Sequence, residues 1–371
     1  MDLSLIRESF DRHRANPDVS TDAYVRLRRI ELGESVLRRE RVYLDKCYWI
    51  ALRDAYLGTS KDLDSSRLLD ALRFSVHSKR RICPISDALF LELLKQQDAR
   101  TRLATAQLID ELSEGVTLGH ETERVSTEIA HFLHSKIGHV VYPLAALVWS
   151  RLSYVLGVQH PCSTAFSATE ERVMQKAFFD HMWDVPLTVV VSGLGTPIAP
   201  PNDYEGLATR LNENKALHAG SIKSFSQAYR AEIQGSLSIA APIAVRVLEH
   251  IGSQSLGTKV NSSAEALQEL ERQAYNLLCA AIAQKEVALA LPTLHIGALC
   301  HAAVRWDRGR KLTANDLFDF HHAEAAVAYC DVFLTEKPLR TLLMQRHLKV
   351  AEDFRCRIIS SRGEAAEWAS G

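Results

Sequence analysis

The chain has 371 residues, with 44 Lys and Arg against 45 Asp and Glu, for a formal net charge of −1. That balance supplies no global attraction for nucleic acid or an anionic surface, so any anion-binding face has to be local, while the length admits one large domain or two ordinary ones. Seven cysteines without a Cys-x-x-Cys pair argue against a zinc module or disulfide framework and fit a reducing cytosol; no signal-peptide segment and no apolar run of membrane-spanning length is visible, so a soluble cytoplasmic protein is expected.

Along the chain, residues 2–15 and 21–40 carry apolar side chains at helical spacing among many arginines, and the pattern changes to a strand at 42–45. Helices are expected at about 47–57 and 63–78. A short strand at 82–85 then enters a long helix reaching about 112, with Ser86 as its N-cap. Helix follows helix at 121–136, 140–157 and 168–182. The β-branched run Leu187 to Val191 reads as a strand or as the start of a loop, and the Gly- and Pro-rich stretch 192–203 is the strongest break in the chain. Helices resume at about 204–218, 223–233, 238–252 and 262–286, and an amphipathic stretch runs from Leu291 to Trp306. Helix 315–329, strand 331–334, helix 336–346 and strand 355–360 complete an alternating β/α pattern. The inferred fold class is α/β, a parallel-sheet core flanked by helices with a large all-helical insertion. N-terminal helices occupy 1–40, the core 41–112 and 290–371, and the insertion 113–289, too long to be a decorated loop.

Four acids stand beside apolar runs in this pattern: Asp45 after Val42-Tyr43-Leu44, Glu92 after Ile82 to Ile85, Asp319 before an alanine-rich stretch, and Glu336 after Val332-Phe333-Leu334. In an open α/β sheet the carboxyl ends of the strands form the ligand crevice, so acids from distant segments are expected to converge there. Such an anionic cluster suits Mg²⁺ or Mn²⁺, since hard divalent cations take oxygen ligands. Asp316 shares a helix face with Asp319, and Asp331 competes with Glu336 as the fourth acid. Ser86 and Thr335 lie beside the acids, as orienting partners or as simple caps. Arg305, Arg308, Arg310 and Lys311, just before the acidic segment, are the best candidates for phosphate contacts, with a mobile charged surface as the alternative. The arginines at 26, 28, 29, 38, 39 and 41 read as a solvated helix face. His321 and His322 are expected to face solvent and core, not a metal, and His295 and His301 to be ordinary packed histidines.

The segments Val-Tyr-Leu-Asp-Lys-Cys-Tyr-Trp-Ile at 42–50, Pro-Ile-Ser-Asp-Ala-Leu-Phe-Leu-Glu-Leu-Leu at 84–94 and 315–339, with Asn315-Asp316-Leu317-Phe318-Asp319 and Phe-Leu-Thr-Glu-Lys, resemble the PIN-like nuclease family. The resemblance covers a minor part of the chain, and roughly 100–290 matches nothing. The sequence departs from the family pattern at Lys46 and Cys47, where a small hydroxyl or amide residue is usual, and at Glu336, where Asp is commoner.

The resemblance implies a PIN-like fold and a metal-dependent nuclease acting on RNA in preference to DNA, through a two-metal acidic site. Asp45 and Asp319 would be direct ligands, Glu92 a ligand or the orienter of the attacking water, Glu336 or Asp331 the holder of a metal-bound water, and Lys46 a phosphate contact. A structure-specific DNA nuclease and a catalytically weak interaction module are the alternatives. The helical insertion is a candidate surface for a protein partner or a dimer contact.

Overall fold

The computed structural model describes residues 3–139, 141–162, 165–194, 203–257 and 262–371. The chain opens with α1 (Leu3–Ala15) and α2 (Thr21–Leu37), followed by β1 (Glu40–Leu44), α3 (Lys46–Tyr56), α4 (Leu63–His77), β2 (Arg81–Ile82), α5 (Asp87–Leu94), α6 (Ala99–Ser113) and β3 (Val116–Leu118). It continues through α7 (Glu121–Lys136), α8 (Leu144–Leu147), β4 (Trp149–Arg151), α9 (Ala168–Trp183), α10 (Leu187–Leu194), α11 (Tyr204–His218) and α12 (Phe225–Leu256). The remainder is α13 (Ala264–Ala281), α14 (Lys285–Ala290), α15 (Pro292–Trp306), α16 (Ala314–Tyr329), β5 (Val332–Leu334), α17 (Lys337–Leu343), α18 (Val350–Asp353), β6 (Arg357–Ile359) and α19 (Arg362–Ser370). Helix dominates, and parallel strand pairing is confined to short elements.

The chain divides into two compact units, one comprising 1–120, 145–199 and 365–371, the other 121–144 and 200–364. The stretch 113–289 is therefore shared between the units: 113–120 and 145–199 group with the first, 121–144 and 200–289 with the second.

In the first unit β1 and β2 pair in parallel, Glu40 opposite Arg81 and Arg41 opposite Ile82. The ladder stops early because the Cys83 amide turns to the Leu112 carbonyl, 3.0 Å away, and Pro84 has no amide to give. Ile85 then bridges to Thr117 of β3, which pairs antiparallel with β4. β4 interrupts the helix expected over 140–157, which keeps only the single turn of α8 before the strand and a 3-10 turn after it. The helix expected to run unbroken to 112 divides at Gln96–Asp98, where the Asp98 carboxylate caps α6 by accepting from the Thr101 amide at 2.7 Å. α9 packs on α1 and α2, and α10 on α6.

At that first packing the Asp180 carboxylate of α9 accepts from Ser9 at 2.6 Å and Tyr24 at 2.5 Å and bonds His13 Nε2 at 2.9 Å, tying three helices together. From the other end of the chain, Trp368 stacks its ring 4.4 Å from the Arg81 guanidinium, which also donates to the Ala369 carbonyl at 2.5 Å.

In the second unit α12 packs against α7, α13 and α15. Its Leu237, Ala240, Ala241, Ala244 and Val245 join Val125, Ile129, Leu291 and Ala298 in one core; a Leu buried as fully as Leu237 is worth about 2 kcal/mol. Expected as two helices, 223–233 and 238–252, this segment is one, and continues through Pro242 despite the amide lost there. Length and composition alone would let α12 cross a membrane, but its small and branched residues form part of this core.

β5 and β6 pair in parallel, Val332 opposite Arg357 and Leu334 opposite Ile359. The break expected at 192–203 falls largely outside the described residues, with α10 extending to Leu194.

Candidate functional site

Burial of Val42, Tyr43 and Leu44 at 0% exposure fixes β1 as an interior strand, and the chain leaves it at Asp45, itself only 3% exposed. Asp45 is the N-cap of α3, with Oδ1 accepting from the Cys47 amide at 2.9 Å. Such a cap is worth about 1 kcal/mol, so part of this carboxylate's role is structural. The β1–β2 ladder ends at the Arg41–Ile82 pair, and each chain runs a few residues further before its helix, to Asp45 ahead of α3 and to Ser86 ahead of α5. Ser86 is the N-cap residue of α5, yet its hydroxyl makes no cap bond and lies 2.6 Å from the Tyr43 hydroxyl instead.

Glu92, in the second turn of α5 and 7% exposed, accepts from Lys46 Nζ at 3.2 Å. Lys46, anticipated as a phosphate contact, thus directs its ammonium to an acid of the candidate set. Lys95 lies close to both, and desolvation holds its pKa below the usual lysine range. The first unit therefore brings Asp45, Ser86, Lys46 and Glu92 to the carboxyl end of its parallel pair.

The second unit holds the remaining acids. Thr335, fully buried, follows β5 and extends the ladder by donating its amide to the Ile359 carbonyl at 2.9 Å. Glu336 comes next as the exposed N-cap residue of α17, without a side-chain cap bond. Asp331 precedes β5, its carbonyl accepting from the Arg357 amide at 2.8 Å. At about 3.3 Å per residue, roughly 16 Å of strand separates it from Glu336. Asp331 therefore belongs to the amino end of the strand, away from the carboxyl end where a ligand crevice forms, and Glu336 is the better fourth acid.

Asp319 is half-buried on α16. Asp316, one turn earlier, is held as a capping box: Oδ2 accepts from the Thr313 amide at 2.8 Å and hydroxyl at 2.7 Å, and Oδ1 accepts from Arg310 at 2.5 Å. Both oxygens are engaged in starting the helix, which removes Asp316 from the metal ligands proposed on sequence.

The basic run is similarly divided. Arg310 is committed to Asp316, and Arg305 donates to Glu232 at 2.5 Å. Arg308 and Lys311 remain exposed on the rim of a cleft of about 190 Å³ that Lys215 and Trp306 also line. Among the described residues these two make no ion pair, so phosphate contact narrows from four candidates to two.

Sequence reasoning set aside the α16 histidines. His322 is buried and His321 half-exposed, as their alternation suggests. His321 Nδ1, however, lies 3.4 Å from Glu121 Oε2, at the start of α7, and 3.2 Å from Glu324 Oε2. The i, i+3 spacing of His321 and Glu324 was a local signal for this cluster, but nothing near them in sequence points to Glu121. His295 is packed as expected, its Nδ1 2.7 Å from the Tyr229 hydroxyl, and desolvation lowers its pKa to about 4.

Also unanticipated is Glu128 of α7, completely buried and accepting from the Thr293 hydroxyl, the Thr293 amide at 3.2 Å and the Tyr329 hydroxyl at 2.5 Å. Desolvation outweighs these donors and raises its pKa to about 7. No family model, curated protein or solved structure matches the chain.

Proposed function

We propose that the protein is a metal-dependent nuclease of PIN-like type, acting on RNA in preference to DNA, with Asp45, Glu92, Asp319 and Glu336 as its working acids. One observation carries the reading: the parallel strand pair of each unit has an acid at its carboxyl end, Asp45 after β1 and Glu336 after β5. The acids of each unit would hold Mg²⁺ or Mn²⁺, which when bound supplies an activated water and charge stabilisation at the leaving oxygen. The donor set fits that ion class, being all oxygen. Asp45 is pre-oriented by its cap bond to Cys47, and the Ser86 hydroxyl is held by that of Tyr43, two residues before Asp45. Lys46 keeps Glu92 paired until a competing cation or phosphate draws the ammonium away. Arg308 and Lys311 are the chain's candidate phosphate contacts. A cytoplasmic location is proposed with it, supported by seven free cysteines, four of them buried.

A second reading, an interaction module without catalysis, is favoured by the Lys46–Glu92 pair, because a lysine already neutralises an acid that a metal would need. Incubation of the full chain with single-stranded and structured RNA in Mn²⁺ tests both. Cleavage that is abolished by chelator, by Asp45→Asn and by Asp319→Asn supports the nuclease. Cleavage persisting in both variants removes the acidic mechanism. Inactivity of the wild type on every RNA and DNA substrate, with or without Lys46→Ala, leaves the module.

A further inference from the structure

We propose that Glu121, His321 and Glu324 form a binding site for a divalent transition ion of the zinc class, separate from the acids of the nuclease reading. The three side chains offer one imidazole nitrogen and two carboxylate oxygens, all within 4.8 Å of one another. A tetrahedral ion with bonds of about 2.0–2.1 Å holds its ligand atoms about 3.3 Å apart. The observed separations from His321 Nδ1 are 3.4 Å to Glu121 and 3.2 Å to Glu324. His321 Nδ1 therefore already stands at ligand spacing from both carboxylates, and admitting the ion requires the loss of any proton it carries.

Charge and space point the same way. The Glu324 side chain is only 8% exposed, and among the described residues its one ion-pair partner is His321. With the imidazole neutral the nearly buried Glu324 charge has no counter-charge in this pair, whereas a divalent ion offsets it and needs the imidazole neutral. Gly297 of α15 faces this carboxylate so closely that a Cβ there would lie 2.3 Å from Glu324 Oε1. The glycine thus leaves room that any other residue would take from the acid.

Mixed nitrogen and oxygen ligands favour zinc-class ions over Mg²⁺, which prefers oxygen and gives up water reluctantly. At about 100° per residue, His321 and Glu324 are turned roughly 140–200° around α16 from Asp319. One helix therefore presents two chemically different faces. Three protein ligands leave the fourth tetrahedral position for water or an exchangeable ligand, and the ion would fasten the start of α7 to the middle of α16.

The test uses the full chain stripped with chelator and titrated with Zn²⁺ against a chromogenic competitor. One high-affinity Zn²⁺ per chain is expected, unaffected by millimolar Mg²⁺. Because loss of a partner that merely orients a ligand weakens metal affinity 10–100-fold, His321→Ala and Glu324→Gln should each weaken it by at least about 100-fold. Glu121→Gln, at a half-exposed helix end, should fold normally and still weaken uptake, keeping the test decisive if His321→Ala does not fold. An Asp45→Asn, Asp319→Asn double variant should take up Zn²⁺ as the wild type does, whatever becomes of its nuclease activity. No uptake by the wild type, or uptake unchanged in Glu121→Gln and in every folded variant at His321 or Glu324, overturns the site and leaves a hydrogen-bonded His–Glu cluster. Loss of uptake in the double variant would overturn the separation from the nuclease acids.

Discussion

Asp180 in the first unit and Glu128 in the second are built alike and behave oppositely. Each is a carboxylate on a helix whose partners include a serine or threonine hydroxyl and a tyrosine hydroxyl from distant segments. Asp180 keeps 13% of its side chain exposed and its pKa is lowered, because hydrogen bonds from Ser9, Tyr24 and His13 together outweigh the upward push of desolvation. Glu128 is completely enclosed, and there desolvation wins. The number of donors around an acid does not settle its ionisation; the remaining access to water does.

The hardest blow to this comparison is Asp180→Ala, which strands the buried Ser9 and His13 and unties α1, α2 and α9. We expect a loss of roughly 3–5 kcal/mol, read by urea denaturation with amide-exchange protection followed in α9. Full protection in the variant would show the cluster to be ornamental.

The next largest effect is a pH dependence of opposite sign in the two units. With a folded pKa of about 7, Glu128 contributes stability that is complete below its unfolded pKa of about 4.3 and is lost as pH rises through 7, amounting to roughly 4 kcal/mol. Asp180, with its lowered pKa, contributes stability that is complete above about pH 4 and lost on further acidification. Exchange protection of α7 should therefore fall between pH 5 and 8 while that of α9 holds, after correction for intrinsic exchange, and Glu128→Gln should flatten the α7 profile. A flat wild-type profile in α7 would mean that Glu128 is solvated in solution.

The smallest effect sharpens the comparison through two matched tyrosines. Tyr329→Phe removes a donor from an acid that water does not reach and should cost about 2 kcal/mol, more at pH 8 than at pH 5. Tyr24→Phe should cost about 1 kcal/mol, because water can replace the hydroxyl at partly exposed Asp180. Equal costs at both pH values would remove the distinction between the two carboxylates.

How far the sequence could be read depended on whether the deciding partner was nearby. The limits of α7 and α11 agree with their hydrophobic periodicity to the residue. Asp45 and Glu336 at strand ends were likewise legible, since an apolar run and the acid after it are contiguous. The run Leu187 to Val191 was not: its β-branched residues favour strand, but the Asp110 carboxylate, from α6, accepts from the Leu187 and Thr188 amides at 2.7 and 2.9 Å and starts a helix there. β4 was hidden for a similar reason, being three residues whose strand character comes from pairing with β3. Asp316 looked like a ligand because spacing reveals a shared helix face, whereas its engagement by Thr313 and Arg310 appears only when the loop before α16 is folded. The division of 113–289 between two units left no compositional mark.

The stacking of Trp368 on Arg81 has a consequence for the order in which the protein is made. Arg81 and its acceptor at Ala369 are 288 residues apart, so at about 5–20 residues per second the ribosome delivers the second partner roughly 15–60 s after the first. During that interval β2 is already synthesised but its guanidinium lacks both the indole and the carbonyl that complete it. The nascent first unit therefore has a waiting period set by translation speed, during which Arg81 has its Glu40 partner but not the two it takes from the last turn of α19.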